Sequence, residues 1–227
     1  MHWEKLLSRK RYQGQQLADS DEWARGEYQR DYDRIVFSSA FRRLQNKTQV
    51  MPLPESDFVH TRLTHSLETS CVGRSLGRLV GKQILQNYPQ LKKQSQVNES
   101  NFGDIVAAAC LAHDIGNPPF GHSGEDAISA YFRSSEAKFF INELSEAQQT
   151  DLQNFEGNAA GFRILTHTYP AQCNMPGGLR LTYTTLATFT KYPKESLPQL
   201  KAPANTSEKN TAFFKAKNNG SAPLPMN

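Results

Sequence analysis

The chain has 227 residues, room for one sizeable domain, and its 26 basic against 22 acidic side chains leave a net charge of only +4. That balance suits an anionic ligand without requiring nucleic acid. Hydrophobic residues make up 37%, no apolar run reaches membrane-spanning length, and the N-terminal MHWEKLLSRKRY lacks the apolar core of a signal peptide. The three cysteines, Cys71, Cys110 and Cys173, are odd in number and far apart. They are expected to be buried, reduced thiols of a cytoplasmic protein.

Residues 1–26 are polar and basic around Arg9, Lys10 and Arg11, and read as a solvated arm. Tyr28, Tyr32, Ile35, Val36, Ala40, Phe41 and Leu44 recur at three- and four-residue steps and predict a helix over about 27–44. Met51-Pro-Leu-Pro-Glu55 is a proline-rich loop. A second helix is expected from about Thr61, with Val72, Leu76, Leu79, Val80 and Ile84 on one face. Arg62 lies three residues before His65, so both project from one side. Residues 87–100 read as a polar linker. Asn101 and Asp104 are expected to cap a third helix through the alanine-rich FGDIVAAACLA.

That apolar run ends in AHDIGNPPFGHSGE, the densest chemical stretch of the chain. Adjacent residues on a helix point about 100° apart, so His113 and Asp114 can face one point only where the helix ends. Gly116 as a left-handed stop and Pro118 after Asn117 predict that ending. His65, His113 and Asp114 are read as ligands of one divalent cation, and mixed imidazole and carboxylate ligation suits Mn, Fe, Co, Ni, Zn or hydrated Mg. His122 and Glu125 are read as aimed at a substrate phosphate beside it. A helix is expected from about Glu125 to Phe132, another over 154–167, and a short one over 181–189; residues 133–150 show no clear pattern. Beyond Pro193 the chain is polar and rich in Pro, Asn and Lys, and a mobile tail is expected over 194–227.

The pattern of His65 followed by His113-Asp114 resembles the HD-domain metal phosphohydrolases. The longer strings FSSAFRRLQNKTQV, HTRLTHSLE, CLAHDIGNPPFGHSGE and NFEGNAAGFRIL resemble more specifically the deoxyguanosine triphosphate triphosphohydrolase family. The resemblance runs from about Tyr28 to Pro193. It implies an all-α HD-domain bundle over 27–193 and one divalent ion, Mg or Mn first. The substrate would be dGTP or another dNTP, cleaved at the α-phosphate to deoxyguanosine and tripolyphosphate. It implies that Gln49 meets the deoxyribose 3′-hydroxyl, that Arg62 grips phosphate, and that Lys191 and Tyr192 contact the nucleotide. It also implies homo-oligomers, a contribution of the N-terminal arm to subunit contacts, and a response to single-stranded DNA. The family's fourth metal ligand, a downstream aspartate, has no counterpart here, so the chain reads as the N-terminal half of a longer enzyme, weakly active by itself and with helix faces left uncovered. The alternatives are another HD-domain phosphohydrolase, acting as 5′-nucleotidase or phosphodiesterase, and a non-catalytic oligomerisation or DNA-binding remnant.

Overall fold

The computed structural model describes residues 2–13, 25–49, 60–94, 96–169, 177–191, 193–195 and 212–213. It is built from helices: α1 Trp3–Leu6, α2 Glu27–Phe37, α3 Ser39–Arg42, α4 Arg62–Asn87, α5 Gln90–Gln94, α6 Glu99–Ala112, α7 His122–Arg133, α8 Lys138–Ile141, α9 Glu146–Gln153, α10 Gly157–Thr166 and α11 Tyr183–Phe189. A 3-10 turn over Arg43–Asn46 follows α3. Lys194–Glu195 pairs in parallel with Ala212–Phe213. The rest of the expected tail, the loop at 51–55, Cys173 and Tyr192 lie outside the described residues.

The centre of the fold is the α4–α6 pair. Small side chains let the two axes approach. A Cβ on Gly73 would lie 2.6 Å from Cys110 Sγ, one on Gly77 2.7 Å from the Phe102 carbonyl, and one on Gly81 2.7 Å from the Phe102 ring. Ser66 and Ser70 continue the same buried stripe, and Ser70 Oγ donates to the Ala107 carbonyl at 2.9 Å. The aliphatic stripe faces the other way: Val72, Leu76, Leu79 and Val80 are 56–67% exposed, and Ile84 is partly buried. The alanine- and glycine-rich surface of α6 offers backbone proximity rather than pockets, so the small face of α4 makes the closer packing.

Two apolar clusters flank this pair. One joins Ile35, Phe41 and Leu44 to Ala108, Leu111, Ile115, Leu165 and Leu186. The other gathers Leu7, Tyr28, Leu85, Leu91, Val97, Phe102 and Ile105. Leu7 shows that the N-terminal segment is not simply solvated. Over residues 2–13 it packs into the fold, and Tyr12 N–H and Tyr183 N–H bond the carbonyls of Leu181 and Lys10 at 2.9 and 3.0 Å. Arg11 is 5% exposed. It pairs with Glu27 at 2.5 Å and Asp31 at 2.7 Å.

Several boundaries differ from expectation for identifiable reasons. The helix expected over 27–44 breaks at Ser38, whose extended backbone and side chain cap α3 by accepting from Phe41 N–H. Asn98, not Asn101 or Asp104, is the N-cap of α6, and Asn101 closes a reciprocal capping box with it. Asp104 lies inside the helix and pairs with Arg74 at 3.0 Å. The unpatterned stretch 133–150 contains α8 and the start of α9. Cys71 is exposed and Cys110 half-buried, against the expected burial; burial pushes the Cys110 thiol up.

Candidate functional site

α4 opens with a capping box in which Thr61 and Thr64 satisfy each other's backbone N–H groups. This anchors Arg62 and His65 in its first turn. Residues 47–49 lie antiparallel to 60–62, with Arg62 N–H bonding the Lys47 carbonyl at 2.9 Å and Gln49 N–H the His60 carbonyl at 3.3 Å. Gln49 is thereby brought beside the start of α4, and its Oε1 is buried without a hydrogen bond.

α6 ends at Ala112, and the chain turns through the His-Asp pair as expected. His113 closes the helix, and Ile115 and Asn117 N–H groups reach back to the Ala112 and Asp114 carbonyls. Gly116 is not the left-handed stop expected of it; among the described glycines that conformation falls on Gly121 and Gly178. Gly116 is needed for space, since a Cβ there would lie 2.0 Å from the Gly157 carbonyl and the Gly161 nitrogen.

The turn brings His113 and Asp114 to His65. The two imidazoles stand edge to face, 5.1 Å between centroids, and one ligand atom from each of the three residues lies within 4.8 Å of the others. One ion with bonds of about 2.0–2.2 Å spans such a set with small side-chain shifts. His113 Nδ1 lies 2.7 Å from the Cys110 carbonyl. A carbonyl only accepts, so Nδ1 carries the proton and Nε2 is left to coordinate. Asp114 is 3% exposed, and its Oδ2 is buried without a hydrogen bond. A buried carboxylate oxygen with unused lone pairs, beside two imidazoles, fits a cation. Arg62 Nη1 stands 3.0 Å from that oxygen. Arg62 therefore joins the cluster instead of a surface salt bridge.

α7 begins at His122, so Glu125 sits in its first turn. His122 Nδ1 and Glu125 Oε2 are 2.8 Å apart; the imidazole is 92% exposed and the carboxylate 15%. Glu125 Oε1 accepts from Gly157 N–H at 2.8 Å, so the first turn of α10 holds the carboxylate that holds the imidazole. A Cβ on Gly121 would lie 3.3 Å from Arg62 Nη2, which ties the start of α7 to the cluster. Lys191 is exposed just beyond α11.

Two polar residues carry more of this site than their sequence context indicates. Lys47 Nζ donates to the Asn117 carbonyl at 2.7 Å. Burial and then the charge of Arg62 hold its ammonium below the ordinary lysine range, against the opposing pull of Asp114. Asn117 Nδ2 donates to Asp114 Oδ1 at 2.6 Å. Asn117 reads in sequence only as the residue before a proline, and nothing in local spacing links Lys47 to a loop seventy positions on.

Residues 62–155 match the HD domain family, and the paired His-Asp corner described above lies within that span. The chain carries an HD domain. Over 88% of its length it is 55% identical to a deoxyguanosinetriphosphate triphosphohydrolase-like protein of Synechocystis, covering 44% of that relative. It is 51% identical over 85% of its length to a protein of the same name from Pseudomonas aeruginosa. It is 37% identical over 74% of its length to the deoxyguanosinetriphosphate triphosphohydrolase of Yersinia enterocolitica, covering 36% of it. The chain is thus similar to deoxyguanosinetriphosphate triphosphohydrolase-like proteins, and it spans less than half the length of the curated relatives it matches.

Proposed function

We propose that this chain carries the metal-binding part of a cytoplasmic dNTP triphosphohydrolase that converts dGTP and water to deoxyguanosine and tripolyphosphate. The observation that carries the reading is the His65, His113 and Asp114 cluster, in a chain this similar to proteins of that name; the His122–Glu125 pair supports it. A divalent ion, Mg or Mn, would supply Lewis-acid polarisation of a phosphate oxygen and acidify water for attack. Arg62 meets the charge that develops on the α-phosphate oxygens. Glu125 fixes the Nδ1–H tautomer of His122, leaving Nε2 to move a proton, either from the attacking water or to the departing 5′-oxygen. Gln49, which both donates and accepts, suits the 3′-hydroxyl. Lys191 and Tyr192 are further nucleotide contacts. Assembly into oligomers and binding of single-stranded DNA belong to the same reading.

The test is product analysis of the 227-residue chain with dGTP and Mn or Mg. Tripolyphosphate is expected, at low turnover because so much of the relatives' length lies outside this span. Orthophosphate instead would mean a different HD-domain phosphohydrolase. Salt-dependent DNA binding without metal-dependent turnover would mean a binding remnant. His122→Ala is expected to remove turnover and leave Mn binding intact; loss of the metal in that variant would make His122 a ligand.

A further inference from the structure

Restraints from three separate elements converge on Asn117. Its amide Nδ2 donates to Asp114 Oδ1 at 2.6 Å, and its own N–H bonds the Asp114 carbonyl at 3.1 Å. Its carbonyl accepts from Lys47 Nζ at 2.7 Å. Its side-chain oxygen lies over α10 so closely that a Cβ on Gly157 would be 2.1 Å away. Lys47 is itself held, because Arg62 N–H bonds its carbonyl at 2.9 Å. The amide therefore has one rotamer open to it, with its oxygen toward α10 and its N–H toward Asp114.

We infer that Asn117 is a positioning residue for Asp114, with Lys47 as its anchor. This rests on the reading of His65, His113 and Asp114 as the ligands of one cation. A carboxylate ligand rotates about its last bond unless something holds its plane. One amide N–H on Oδ1 holds that plane, and it takes one lone-pair direction while leaving the others for a cation. The Lys47 ammonium has no contact with the ligands' own atoms in this role. It acts through the Asn117 carbonyl, stopping the 113–119 turn from drawing the amide away. The arrangement places a polar relay behind the cluster: the 47–49 segment, the turn after α6, and the first turn of α10.

Mn binding separates the role from a merely structural one. The wild-type chain, Asn117→Leu, Lys47→Ala and Lys47→Arg would be titrated with Mn alone, reading free ion by electron paramagnetic resonance and heat by calorimetry. Asn117→Leu keeps the branching and the heavy-atom count and removes the donor. Its Mn affinity is expected to fall by about 10- to 100-fold, the usual cost of losing an outer-shell partner. Lys47→Ala should weaken binding in the same direction, and Lys47→Arg, which still donates to the carbonyl, should restore it. An Asn117→Leu protein that is folded by circular dichroism and binds Mn as the wild type does would overturn the inference. If that variant fails to fold, unchanged Mn affinity in Lys47→Ala overturns it instead. Absence of Mn binding by the wild-type chain would sink the ligand assignment first, and the positioning role with it.

Discussion

Asp114 and Arg62 are the residues on which burial places the heaviest demand. Both are nearly inaccessible, 3% and 5% exposed, and their charged ends stand 3.0 Å apart. Removing one member of a buried pair leaves the other's charge uncompensated, which typically costs about 3–5 kcal/mol. Arg62→Ala should therefore destabilise the metal-free protein by about 3 kcal/mol. Added Mn should recover a large part of that loss, because a cation at the cluster takes over the pairing with Asp114. Thermal melts of the variant with and without Mn check this. A wild-type Tm in metal-free Arg62→Ala, or no response to Mn, would refute the pairing argument. At this scale much of the site was legible beforehand. His65, His113 and Asp114 converge, and His122 pairs with Glu125. Residue type and a helix end were enough for that. Gly116 was assigned the wrong duty because a string shows that a glycine is present but not whether backbone angle or clearance requires it. Lys47 and Asn117 were missed because their value lies in partners that only the fold supplies.

Among the elements, α4 teaches the most, since its two faces carry opposite signals. Hydrophobic periodicity marks Val72, Leu76, Leu79 and Val80, yet these are the exposed side. The buried side is the serine and glycine stripe against α6. A stripe of small residues reads as weak in any apolarity count, although it is what permits two helix backbones to touch. The remaining helices were mostly legible where capping was strong, as in α11, which Thr182 caps; α7 starts at His122 behind Gly121, which offers no side-chain cap, ahead of the expected Glu125, and Ser38 alone decides the break before α3. The two faces predict opposite mutational responses. Gly77→Ala would put a methyl 2.7 Å from the Phe102 carbonyl, and backbone cannot step aside cheaply. A loss of about 1–3 kcal/mol is expected in urea denaturation, despite alanine's better helix propensity. Leu79→Lys on the open face should change stability by less than about 0.5 kcal/mol. It should also reduce concentration-dependent association of this chain, read by light scattering, because it breaks an apolar patch. Stabilisation by Gly77→Ala would mean that the close contact is not what holds the pair.

For the molecule as a whole, the ends of the described chain are joined by polar groups buried in a way no window of sequence displays. Arg11 bonds Glu27, Asp31 and the Arg180 carbonyl. Asp31, fully buried, accepts from both the Thr182 N–H and its hydroxyl, at 2.9 and 2.7 Å. Three segments, one of them 151 positions from Asp31, are thus held by one carboxylate, and the basic stretch that composition marks as an arm supplies its counter-ion. Among the described residues no helix is long and apolar enough to cross a membrane. Tyr28 offers a clean probe of whether the N-terminal segment is docked in solution. Its hydroxyl donates to the Leu7 carbonyl at 2.7 Å, and it is 1% exposed. Burial pushes its pKa up from 10.0 to about 12. The folded protein therefore keeps the phenolic proton where the unfolded chain releases it. The Tyr28 contribution is complete below pH 10 and is lost as pH rises through about 12. Tyr28→Phe removes that titration. Its stability should lie below the wild type at neutral pH, by the roughly 1 kcal/mol of a lost hydrogen bond and the stranded Leu7 carbonyl. The gap should narrow, in melts run at successive pH values, as the wild type passes pH 10 toward 12. A gap that stays constant across that range would mean that Tyr28 is open to water and that residues 2–13 do not hold their place against α2.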